Sequence, residues 1–90
     1  MTRRQKREDA MRRNPKQVRF EDLNALLNAE GFAATASGSH YNYEHSAHTD
    51  LDFVVVRPHG GQTHVLPIYV QRALNAVEGA RRRNIEGAAP

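Results

Sequence analysis

Cysteine is absent from all 90 residues. That removes disulfides, thiolate-bound zinc and a thiol nucleophile, and nothing in the chain depends on an oxidising compartment. Long apolar runs are missing too: the stretch 53–56 falls far short of the roughly 20 apolar residues a membrane-spanning helix needs. The N-terminus carries charge with no apolar stretch behind it, so a cytoplasmic location with no membrane partner is the expectation. Cations are scarce in the middle of the chain, and no lysine follows Lys16.

The formal net charge of +3 is therefore carried by the two ends. Arg3, Arg4, Lys6, Arg7, Arg12, Arg13, Lys16 and Arg19 crowd the start, and Arg81, Arg82 and Arg83 the finish. Basic ends attract polyanions, of which RNA is the obvious cytosolic one, although solvated tails that aid solubility have the same composition. A chain this short buries only a modest core, so a deep substrate cavity is not expected. Any chemistry belongs on an open surface, where it suits a polymeric substrate.

Residues 2–13 are charged and free of glycine and proline, which permits a helix, but Ala10 and Met11 are its only apolar residues. The segment 1–17 reads as a basic extension without enough apolar surface to dock, one that orders only against a partner. Asn14-Pro15 breaks the pattern, since a residue before proline is pushed out of the helical region. The domain is expected over 18–80, with 81–90 as a basic, flexible tail whose last residues, 87–90, are disordered.

Within that domain Phe20, Leu23, Leu26 and Leu27 follow helical spacing, Glu21 and Asp22 suit the first turn, and Gly31 suits the end. Residues 32–37 are compatible with a strand. Residues 40–45 alternate, which puts Tyr41 and Tyr43 towards the core and His40, Asn42 and Glu44 outwards. After a polar loop over 46–50, the β-branched run at 51–56 is apolar on nearly both sides and predicts a strand that is central or packed under a helix. Pro67 opens a second helix with Val70, Ala73, Leu74 and Val77 on one stripe. Helix, three strands and helix with short links between strands predict an α+β fold: a three-stranded antiparallel sheet with both helices on one face. A double-stranded RNA-binding domain has the same order of elements.

His40 is the residue best suited to chemistry. An imidazole titrates near neutrality, so it can take a proton from a ribose 2′-hydroxyl or give one to a leaving oxygen, and an exposed strand position lets it reach RNA. A cation would stabilise charge on the phosphate, for which Arg57 or His59 is placed, with the N-terminal arginines through Arg19 supplying general grip. His45, His48 and His64 read as loop or strand-edge residues. A rival constellation for zinc places His45 and His48 three apart, followed by Asp50 and Asp52. Their position in a loop and the lack of cysteine weigh against it, so no metal and no cofactor is expected.

The helix ending in Glu30-Gly31-Phe32, the run Gly38-Ser39-His40-Tyr41-Asn42-Tyr43, the apolar strand, the Arg57-Pro58-His59 step and the closing amphipathic helix together resemble the HicA family. The resemblance runs from about Arg19 to Val77. It implies a fold like the double-stranded RNA-binding domain, cleavage of messenger RNA as the toxin of a toxin-antitoxin pair, and silencing by a HicB-like antitoxin that covers the active face. The family's glycine-serine-histidine motif falls on Gly38, Ser39 and His40, which makes His40 the catalytic residue and puts Ser39 beside it as an RNA contact. The chain departs from the family in its missing lysines, in Gly60-Gly61 and in its basic N-terminal segment. Two readings stay open, a metal-independent endoribonuclease and a non-catalytic RNA-binding module of similar fold. A protein-interaction domain without RNA contact is a third.

Overall fold

A computed structural model describes residues 2–88. Helix α1 covers Arg3–Arg13, a 3₁₀ turn Pro15–Gln17, α2 Phe20–Ala29, β1 Phe32–Ser37, β2 His40–His45, β3 Phe53–Val56 and α3 Pro67–Ala88. The three strands form an antiparallel sheet in the order β1-β2-β3. The fold is α+β, with three α-helices among the described residues rather than the two expected.

The β1–β2 hairpin closes through Gly38-Ser39, with Ser37 opposite His40. Gly38 has φ +60° and no other residue near the turn has a positive φ, the pattern of a turn that takes glycine at its first central position. Strand alternation then sorts the sheet into two faces. Phe32, Tyr43 and Val55 are buried on one, against Leu23, Leu26 and Leu27 of α2 and the Val70, Ala73, Leu74, Val77 and Ala80 stripe of α3. On the other face Ala33, Thr35, Ser37, His40, Asn42 and Glu44 are all exposed. Both α2 and α3 thus pack on one side of the sheet, and the second side is open.

The strand expected to be central or packed under a helix spans Phe53–Val56; it lies at the sheet edge and packs under α3. Val55 and Phe53 face the core, whereas Val54 points to the open face and is 38 % exposed. Two other expectations are corrected. The segment 1–17 is docked rather than free. Thr2 caps α1 through a reciprocal pair with Gln5 (Gln5 N to Thr2 Oγ1 3.2 Å, Thr2 N to Gln5 Oε1 2.9 Å). Met11 joins the core, and Glu8, 6 % exposed, meets Arg81 of α3. Charge complementarity supplies the anchoring that its few apolar residues do not. For the same reason the basic tail expected over 81–90 is helical through Ala88, where α3 ends; residues 89–90 lie outside the described residues.

Gly31 joins α2 to β1 with φ +94°, and a Cβ there would lie 2.8 Å from Nε2 of His45. Gly31→Ala is therefore expected to cost about 2 kcal/mol, from left-handed backbone strain and the clash together. Urea unfolding with an unchanged m-value would report it; a cost below about 0.5 kcal/mol would show that the backbone and the imidazole both give way freely.

Candidate nucleic-acid interface

His40 opens β2 on the uncovered face, paired across the sheet with Ser37 and with Val56. Its side chain is exposed and its ring makes no hydrogen bond among the described residues. Glu44, the carboxylate on the same face of the same strand, is four residues away, about 13 Å at strand rise, which is beyond hydrogen-bond reach. Ser39 is half-buried in the turn, and its carbonyl accepts from the Arg57 amide at 2.7 Å.

That backbone bond brings Arg57 next to the hairpin turn, yet its side chain lies on the opposite face from His40. Val56 shares the face of His40, so the following residue points the other way. There the Arg57 guanidinium lies 5.2 Å from the ring centroid of Phe20, donates to the Tyr41 hydroxyl at 3.3 Å, and stands 3.9 Å from Glu21. Arg19 joins it along an open groove of about 280 Å³, which Pro58, Gln62 and Thr63 complete. His59 is exposed in the loop after β3, where its carbonyl accepts from the Gln62 amide. The sequence-derived set therefore divides in two. His40 and Ser39 sit at the hairpin turn, and Arg19 and Arg57 share a groove at the same end of the sheet, on its helix-covered side. His59 belongs to neither.

His45 was expected in a loop or at a strand edge; it is buried instead. Nδ1 accepts from the Ala47 and His48 amides at 3.0 and 3.2 Å, so Nε2 carries the proton and donates to the Glu30 carbonyl at 3.0 Å. The ring also packs edge-on to Phe32 and stacks on His48 at 4.8 Å between centroids. Its parity with Tyr41 and Tyr43 was the signal that it faces inward. With both nitrogens committed, His45 shapes the turn after β2. The loop it starts is tied to α3 by His48 to Asn84 and by Asp50 to Arg83. Of the rival zinc set, His45, His48 and Asp50 are engaged in these hydrogen bonds, and no group of three or more histidine or carboxylate side chains comes together among the described residues.

Tyr43 confirms the inward reading of the aromatic pair. It is fully buried and donates to Asn24 Oδ1 at 2.7 Å. Burial, helped by the neighbouring Tyr41, pushes its hydroxyl up to about 12. The unfolded chain gives up this proton near pH 10 and the folded chain holds it, so stability present below pH 10 is lost as pH rises towards 12. Tyr43→Phe, which has no proton to lose, is expected to flatten that alkaline limb; denaturation midpoints between pH 9 and 11.5, a range set roughly by linkage, would show it.

No protein-family model, no curated protein and no solved structure matches this chain. No helix among the described residues is long and apolar enough to cross a membrane.

Proposed function

We propose that the chain is an endoribonuclease of the HicA kind, a messenger-RNA-cleaving toxin with a fold like the double-stranded RNA-binding domain and His40 as its catalytic residue. The observation that carries this reading is the position of His40: a solvent-facing imidazole on the one sheet face that no helix covers, beside a glycine turn. RNA laid across that face reaches the imidazole without any rearrangement of the core.

In this reading His40 takes the proton from a ribose 2′-hydroxyl. The 2′-oxygen forms its bond to the adjacent phosphorus, the bond from phosphorus to the 5′-oxygen breaks, and water protonates the departing 5′-oxygen. The products are a 2′,3′-cyclic phosphate and a 5′-hydroxyl end. Ser39, next to His40 at the turn, is the residue beside the scissile phosphate; Arg57, whose guanidinium lies on the opposite face, and His59, one loop further along the chain, hold the strand away from the bond that breaks. A HicB-like antitoxin is the partner that would cover the open face.

The test is incubation of a mixed messenger RNA with the protein in excess chelator, followed by analysis of the new ends. Cyclic-phosphate ends support the assignment, while 5′-phosphate ends would exclude the 2′-hydroxyl as nucleophile. A non-catalytic RNA-binding module is the second reading, and one observation favours it: no cation and no second titratable group touches the His40 ring among the described residues. Intact RNA at every protein concentration, with binding retained, would select that reading.

A further inference from the structure

The sequence has two basic ends, but folding treats them differently. At the C-terminal end the arginines are spent internally. Arg81 donates to both Glu8 and Glu30, Arg83 forms a two-bonded pair with Asp50 at 2.6 and 2.7 Å, and Arg82 stands 3.8 Å from Glu78. At the N-terminal end the reverse holds. Among the described residues Arg3, Arg4, Lys6, Arg13, Lys16 and Arg19 have no carboxylate partner, and elsewhere in the fold only Arg72 shares that state.

Helix geometry gathers these charges. Glu8 and Met11 turn α1 inward. Lys6 and Arg13 then fall on its outer side with Ala10 and Asp9 between them and Arg3 at its edge; Asp9 makes no ion pair among the described residues, so the stripe keeps a net positive charge. Lys6 and Arg13 are about 10 Å apart along the axis, room for separate phosphates. Beside this stripe runs an open groove of about 520 Å³ between α1 and the start of α2. Arg7, Arg13, Asn14 and Gln17 line it over Ala10 and Met11, and Asp22 stands 3.9 Å from Arg7. The chain then carries the charge onward through Lys16 to Arg19, whose groove with Arg57 ends at the hairpin turn.

From this distribution we infer that the outer side of α1, continued through Lys16 and Arg19, is a phosphate-binding track for single-stranded RNA, and that the C-terminal arginines are not RNA contacts. RNA reaches His40 from the hairpin-turn end of the sheet, held on one side by a helix that is already docked in the free protein. This rests on RNA being the ligand in the proposed function, and it adds where the strand is held. Preordering matters, because a helix fixed by Met11 and Glu8 presents its cations without a further backbone-ordering cost on binding.

The experiment measures binding of a mixed-sequence 2′-O-methyl RNA oligonucleotide, which has no 2′-hydroxyl to react, as a function of salt. Three proteins are compared: wild type, Lys6→Gln/Arg13→Gln, and Arg72→Gln/Arg82→Gln. Both variants lose two positive charges, and all four side chains are exposed. Losing two phosphate contacts is expected to reduce the slope of log K against log salt by about 1.4 and the affinity about tenfold near 0.15 M salt, from roughly 0.7 per contact on a single strand. The Arg72/Arg82 variant should keep the wild-type slope. Equal losses in both variants would mean that net charge alone acts, and a larger loss in the second would place the track on α3; either overturns the inference. So would absence of binding by the wild type at low salt. Circular dichroism and the unfolding midpoint confirm that α1 stays docked in the first variant. Failure of the catalytic reading is seen separately, as ordinary RNA left uncut while α1-dependent binding persists.

Discussion

Replacing His40 by alanine is expected to slow RNA cleavage by about 10²- to 10⁴-fold, the range that a single positioned acid or base contributes. Binding of uncleavable RNA should change less than about threefold, since a single exposed side chain supplies only a small part of the phosphate contacts. Stability should hardly move. The ring is exposed and makes no hydrogen bond among the described residues, so its loss leaves no cavity and no orphaned polar group. The three readouts together separate catalysis from folding and from RNA grip. A variant that cleaves at the wild-type rate would remove His40 from the mechanism, whereas one that unfolds would contradict its placement on the open face.

Arg81→Ala carries the largest expected effect on stability, about 2 to 3 kcal/mol. Its guanidinium is the common partner of Glu8 and Glu30, whose side chains are 8 % and 12 % exposed. Removing one partner of a buried pair costs roughly 3–5 kcal/mol because the other charge stays buried. The value is reduced here because Arg81 itself is 39 % exposed and Arg12 still reaches Glu8. At this chain length that is a fall of about 15 °C in Tm. Burial alone would raise the Glu8 carboxyl, but hydrogen bonds from Arg81 and Arg12 outweigh it and hold the group below its ordinary value of 4.5. Between that depressed value and 4.5 the unfolded chain binds more protons than the folded one, so this contribution is present above pH 4.5 and lost as pH falls. The gap between wild type and variant should accordingly be widest at neutral pH and narrow in acid. A gap that stayed constant from about pH 7 to about pH 3 would assign the loss to packing of the arginine stem instead.

The same cluster joins stability to the proposed RNA track. Glu8 faces inward and fixes the rotation of α1, and that rotation decides which of its cations face solvent. Arg81→Ala is thus expected to weaken RNA binding as well, through a helix that no longer holds one orientation.

The fold was legible where local pattern and tertiary structure agree. The leucines of α2, the Val70-to-Val77 stripe of α3 and the alternation that buries Tyr43 and exposes His40 all follow from periodicity, which is a property of neighbouring residues. His45 lay within the same logic, since it continues the inward parity of Tyr41 and Tyr43.

What only the tertiary structure decided are the relations between distant residues. Met11 and Glu8 lack the apolar company that would announce a docked helix, and the acid's partner lies 73 positions away on α3. The edge position of β3 depends on which strand pairs with which, and a β-branched run does not encode that. Strand pairing brings the Arg57 backbone beside the motif, yet alternation and the Phe20 ring turn its cation to the far face from His40. Charge is the clearest case. Composition counts cations at both ends alike, while the fold supplies a carboxylate to each of the three C-terminal arginines and, at the N-terminal end, only to Arg7 and Arg12. Coulomb interaction depends on distance in space, and separation along the chain does not determine it.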